Sequence, residues 1–221
     1  MGLAEMPFYV GLDLGQSADY TALAVIQDGV RRSPTGVEKF LHLRHLERYE
    51  LGTLYPDIAD AVTALLRAPE LSPDEFDGVR IKRTPPELVV DQTGVGPAVT
   101  DLLKKRGLRF RAVTITGGNE TKYGGGSWHV PKRDLVSALE VPFHTGELRV
   151  AEDMKLWPEL KKELLNFRRK INLKSAHESY EHWRECDHDD LVLACSLACW
   201  WARRRGGSRR MRVWYNKPPG W

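Results

Sequence analysis

PELVVDQTGVGPAVTDLLKKRGLRFRAVTIT, residues 86–116, settles the class of the fold. PELVVDQTG (86–94) is a short, continuous apolar run that stops at an acid and a turn, as a buried strand does. VGPAVTDLLKKRG (95–107) reads as a helix stopped by Gly107, and LRFRAVTIT (108–116) is a strand again. Strand, helix, strand in so short a space implies parallel neighbours joined by a right-handed crossover.

Upstream, FYVGLDLG (8–15) is a β-rich run ending in a glycine turn. TALAVIQDG (21–29) is a second strand closed by Asp-Gly, and KFLHLRHLERY (39–49) alternates apolar and polar residues as a half-wet strand does. Three strands on short turns predict an antiparallel meander. TLYPDIADAVTALLRA (53–68) follows as an amphipathic helix, and SPDEFDG (72–78) as a loop. Downstream, GGNETKYGGGSWHVP (117–131) reads as a mobile glycine-rich loop, and PKRDLVSALE opens a helix with Pro131 at or near its first position. A helix around 151–167, a β-like NFRRKINL (166–173), a strand near SYEHW (179–183) and a last helix opening at DHDD (187–190) complete the pattern. The expected fold is α/β: a mixed sheet of three antiparallel strands followed by parallel ones, flanked by helices. No internal repeat or linker divides it, so residues 1–205 are expected to form one domain and 206–221 a flexible basic tail.

With 221 residues, 42% of them apolar and 29% charged, the chain is long enough for one full core. The longest apolar run, LVLACSLACWWA (191–202), is too short to cross a bilayer and reads as a buried helix. Cys186, Cys195 and Cys199 show no pairing or metal-ligand spacing and are expected to be reduced; the N-terminus carries no secretory pattern, so a cytoplasmic setting is expected. The formal charge of +3 is unevenly spread: seven basic residues and no acidic one lie between Arg203 and Lys217, and taking those seven from +3 leaves the remainder at −4. Such a tail suits nucleic-acid phosphates, although arginines at a helix end also complement its dipole.

Three acids end three elements. Asp13 closes the first strand, Asp91 the fourth, and Asp189 and Asp190 open the last helix. If the fourth strand pairs with the first, Asp13 and Asp91 meet where open α/β sheets gather ligands, outside the carboxyl ends of their strands. Several converging carboxylates cannot all ionise cheaply, and hard divalent cations resolve the conflict. Two such ions suit phosphodiester hydrolysis. Each acid also has a plainer reading. Asp13 and Asp91 can be turn residues, Asp187 can be a helix N-cap, and Asp189 and Asp190 favour a helix dipole. His188 is expected to orient the carboxylates rather than bind an ion that disfavours imidazole.

YVGLDLGQSADYTALAVI, LVVDQTGVGPAVTDLL, HVPKRDLVSAL and, most specifically, HDDLVLACSLACWW stand in the order found in the nuclease domain of phage large terminases, which has an RNase H-like fold; together they cover most of residues 8–202. This resemblance implies an endonuclease of double-stranded DNA using two Mg²⁺ or Mn²⁺ ions, in a bacterial cytoplasm. It implies Asp13, Asp91, Asp190 and Asp189 as catalytic ligands; between the last two the resemblance does not choose, and Asp190 is favoured as the direct ligand because it shares a helical face with Ala194 and Leu197. Lys132, Arg133 and Lys122, then Arg168 and Arg169, are the expected phosphate contacts, with little sequence preference. Trp128 either stacks on DNA or anchors its own loop. Large terminases also carry a packaging ATPase, but these residues hold no G-x-x-x-x-G-K-[ST] loop, so the sequence is either an excised nuclease domain or a stand-alone relative, for which a separate packaging ATPase or portal component is a candidate partner. The alternatives are a Holliday-junction resolvase-like nuclease, an actin- or sugar-kinase-like ATP-binding domain suggested by DLGQSADYTALAVI, and a DNA-binding remnant with a silent site.

Overall fold

The computed structural model of the protein describes residues 6–15, 19–33, 36–76, 79–174 and 188–208. The meander forms as the alternation predicts: β1 (Phe8–Asp13), β2 (Ala22–Ser33) and β3 (Gly36–Arg48) pair antiparallel. After α1 (Tyr55–Leu66) comes a two-stranded ribbon, β4 (Glu75–Phe76) and β5 (Val79–Arg80), where a plain loop was expected. β6 (Glu87–Asp91), α2 (Gly96–Lys105) and β7 (Phe110–Thr116) then form the anticipated crossover, with β6 parallel to both β1 and β7. The φ of +77° at Gly107 ends the turn after α2, a conformation open to glycine without a Cβ clash.

The glycine-rich stretch is not a plain loop. It folds into β8 (Lys122–Gly124) and β9 (Ser127–Pro131), an antiparallel hairpin whose second strand pairs parallel with β7. Gly125 and Gly126, at φ +59° and +81°, make its two-residue turn, and two consecutive positive φ angles are what a tight hairpin demands. α3 (Lys132–His144) follows at once with Pro131 as its cap residue, and leads to β10 (Leu148–Val150), which pairs parallel with β3 at the far edge. The eight-stranded sheet thus runs β10-β3-β2-β1-β6-β7-β9-β8.

α4 spans Trp157–Lys174, so NFRRKINL is helical, not β-like. Its apolar residues Phe167 and Ile171 stand four apart, which suits a helical face as well as a strand alternation, and continuity with the helix before it decides. SYEHW, Cys186 and Asp187 lie outside the described residues. α5 runs from Asp190 to Ser208, carrying helix past the domain end expected at residue 205. Among the described residues, no helix is long and apolar enough to cross a membrane.

The sheet has a core on each face. Tyr9, Val89 and Val113 look toward α3, α4 and α5, while Val10, Leu12, Leu88 and Val90 look toward α1 and α2. Alternation therefore assigns Gly11, Asp13 and Asp91 to the face that carries α5. α5 lies close on β1: a Cβ on Gly11 would stand 2.0 Å from the carbonyl oxygen of Ala194. The missing side chain lets the helix seat here. Cys195 and Cys199 are free and buried in this layer, as expected for small core residues.

Candidate active site

β1 and β6 pair in parallel with Asp13 opposite Asp91, so the two acids share one row at the carboxyl ends of adjacent strands. Adjacent strands lie about 4.8 Å apart, which leaves two carboxylates on one face within direct reach. Each acts on the other's proton: Asp91 helps to raise Asp13, and Asp13 lowers Asp91 slightly against its burial. The other side of Asp91 is fixed by its own turn, where Oδ1 accepts from the Thr93 backbone N–H at 2.8 Å and from the Thr93 hydroxyl at 2.5 Å. The turn reading of Asp91 and its place in the acid group therefore hold together.

α5 adds the remaining acids. Asp189 precedes its first residue and accepts the Leu193 N–H on its backbone carbonyl at 2.9 Å, so the cap position falls here. Asp190 is 5% exposed, and its Oδ2 accepts from Arg48 Nε at 2.7 Å. Among the described residues its Oδ1 is buried without a hydrogen-bond partner. The Asp189 carboxylate, more exposed, accepts from Lys132 Nζ at 2.6 Å. Burial first, then the charges of Asp91, Asp189 and Asp190, push Asp13 well above the usual carboxylate range, with Lys132 opposing. Burial likewise raises Asp91 to about 6 against its Thr93 bonds and Lys132. Asp190 is raised by burial and lowered in part by Arg48. The charges of Asp91, Asp189 and Asp190 thus all reach Asp13.

Among the described residues these acids do not form a group of three or more ready to hold a metal ion; Asp190 and Asp189 are turned to Arg48 and Lys132 instead. The donor chemistry nonetheless suits a hard divalent cation. It is all carboxylate oxygen, it is mutually repulsive when ionised, and it includes a buried oxygen with no partner. A buried unpaired carboxylate oxygen is costly, by about 1–3 kcal/mol, and a cation removes that cost.

The expected phosphate contacts divide. Lys132 belongs to the acid group through Asp189. Arg133 is largely exposed, donating Nη2 to the Asn119 carbonyl at 2.7 Å, and Lys122 is exposed beside Glu120 at 3.0 Å. Arg168 and Arg169 fall on α4, with side chains outside the description. Trp128 anchors its hairpin: its ring lies 4.9 Å from Tyr123, 5.8 Å from Trp200 and 6.2 Å from Trp201, with the Arg204 guanidinium 4.0 Å above it. His188 is exposed and packs edge-on against Tyr20 at 4.8 Å.

Arg48 and Glu163 are site residues that the sequence patterns did not single out. Arg48, the last residue of β3, also donates Nη2 to Glu163 of α4, and Glu163 Oε2 accepts the Val192 N–H of the first turn of α5 at 3.1 Å. The available signal was one acid within a helix otherwise rich in exposed charge, and one arginine at a strand end; neither carries a motif.

No protein-family model matches the sequence, and none of the curated proteins matches it. Among solved structures, the chain is similar to the large terminase nuclease of the thermophilic phage G20c, at 18% identity over 89% of this chain and 84% of that one, with a TM-score of 0.49. It is also similar to the terminase nuclease domain of human cytomegalovirus, from a manganese-soaked crystal, at 14% identity over 92% and 87%, with a TM-score of 0.51. On the cytomegalovirus likeness and the strand order above, the chain has the terminase-nuclease fold, an RNase H-like mixed sheet flanked by helices.

Proposed function

We propose that this protein is a divalent-metal-dependent endonuclease of double-stranded DNA. The observation that carries the reading is the Asp13–Asp91 row with Asp190 Oδ1 buried and unpartnered beside it. Asp13, Asp91 and Asp190 would hold the metal, with Asp189 joining when it leaves Lys132. Two Mg²⁺ or Mn²⁺ ions bound by such acids supply an activated water and neutralise the leaving oxygen of a phosphodiester.

The chain's own residues supply the rest. Thr93 fixes one oxygen of Asp91 and so sets the direction in which the other can bind. Lys132, at the first position of α3, shields Asp189 and stands where a phosphate can exchange for that carboxylate. Arg133 and Lys122 on the neighbouring surface suit backbone contacts without base readout. The resemblance stated from the sequence adds phage DNA packaging in a host cytoplasm, alongside a packaging ATPase or portal component.

Supercoiled plasmid cleavage with Mg²⁺, Mn²⁺ or EDTA tests the reading, comparing wild type with Asp13→Asn and Asp190→Asn. Metal-dependent nicking and linearisation, lost in both variants, is the expected result. No cleavage by wild type, or cleavage surviving both substitutions, would return these acids to turn and capping roles.

A further inference from the structure

Arg48 places one guanidinium between two buried carboxylates from different helices. Its Nε donates to Asp190 Oδ2 at 2.7 Å and its Nη2 to Glu163 Oε1, with side-chain exposures of 19% for Arg48, 8% for Glu163 and 6% for Asp190. The Tyr20 ring lies 5.1 Å from the guanidinium carbon. Glu163 is itself held by the Val192 N–H, so the arginine is anchored to the first turn of the helix that carries Asp190. A planar fork reaching two acids fixes direction as well as charge, which a single ammonium cannot do.

Resting on the metal-nuclease reading above, we propose that Arg48 and Glu163 are positioning residues that hold Asp190 with Oδ2 turned away and Oδ1 presented as its one metal-binding oxygen. Two effects compete at Arg48. Its positive charge opposes a bound cation, while its geometry aims the ligand. Partners that orient metal ligands are typically worth ~10–100-fold in affinity. Arg48→Lys separates the two, because it keeps the charge and loses the fork. Glu163→Gln keeps the size and removes the acid that sets the arginine.

The test is Mn²⁺ binding to the DNA-free protein, read by the loss of the free-ion electron paramagnetic resonance signal, for wild type, Arg48→Lys, Glu163→Gln and Asp13→Asn. Melting temperature is recorded alongside and binding is measured well below it. Weakening of Mn²⁺ binding by about 10-fold or more in Arg48→Lys and Glu163→Gln is expected. Plasmid cleavage by Arg48→Lys should recover toward the wild-type rate as Mn²⁺ is raised, since the ligands themselves remain. Lowered melting temperatures with Mn²⁺ affinities within twofold of wild type would overturn the proposal and leave Arg48 a structural tie. Failure of wild type itself to bind Mn²⁺ would overturn the nuclease reading and this proposal with it.

Discussion

At the scale of single residues, the acids at the head of the sheet are a source of instability in the metal-free protein. Asp91, raised to about 6 by burial, and Asp13, raised further by burial and its acidic neighbours, bind protons more tightly in the folded chain than in the unfolded one. The favourable contribution of Asp91 to the metal-free protein is therefore complete below the unfolded carboxylate range near pH 4 and is lost as the pH rises through about 6, and that of Asp13 is lost in the same direction with rising pH. Asp91→Asn should stabilise the metal-free protein by about 1–3 kcal/mol near pH 7.5, with the gain fading toward pH 4, and Asp13→Asn should act in the same direction. Thermal melts of wild type and variants at both ends of that range check this; a large loss of stability at pH 7.5 would mark the acids as structural turn residues. Under the proposed reading the same shifts bear on metal binding. Protons compete for these oxygens, so Mn²⁺ affinity of the wild type should fall as the pH drops through about 6, measurable by titration at several pH values.

At the scale of elements, the site depends on where α5 is pinned. Asp190 is tied to Arg48 at one end, and Glu87, which opens β6, accepts from Trp201 Nε1 at 2.9 Å and Arg205 Nε at 3.0 Å at the other. From Asp190 to Trp201 a helix rises ~16 Å, and from Asp91 back to Glu87 a strand covers ~13 Å, so the two elements match in length and both acids finish at one end. Gly11 permits the close seating between them. Gly11→Ala should cost about 1–3 kcal/mol or more, because the intruding methyl meets helix backbone rather than a side chain that can turn aside. A melting temperature within a degree of wild type would contradict that packing. Much of this level was legible. The switch from period 2 in FYVGLDLG and TALAVIQDG to strand–helix–strand in residues 86–116 placed Asp13 and Asp91 at strand ends, and strand pairing did the rest. The β8–β9 hairpin was missed because glycine signals a turn and a loose loop alike. What decides is Trp128, whose partners Trp200 and Trp201 lie some seventy residues along the chain. Arg48 and Glu163 were missed for the same reason: their meaning is a contact across the fold, which no local pattern records.

At the scale of the whole molecule, the fold brings three distant segments together at the carboxyl ends of the central strands β1 and β6, and exposed cations stand on α3 and β8. Arg133 and Lys122 are exposed beside Asp134 and Glu120, and under the proposed reading replacing either with alanine should weaken DNA binding alike for unrelated sequences and reduce the salt dependence of the binding constant by up to about one counterion. Fluorescence anisotropy with two unrelated duplexes over a salt series checks this; a loss confined to one sequence would instead point to base contacts. The central claim is that Asp13, Asp91 and Asp190 are the oxygen ligands of a divalent-metal site. It is tested most directly by the anomalous diffraction of a crystal soaked in Mn²⁺. The account predicts strong peaks within ligand distance of Asp13 and Asp91, with Asp190 Oδ1 turned to the ion. Peaks only elsewhere on the molecule, or none while the acids keep their bonds to Arg48 and Lys132, would contradict it.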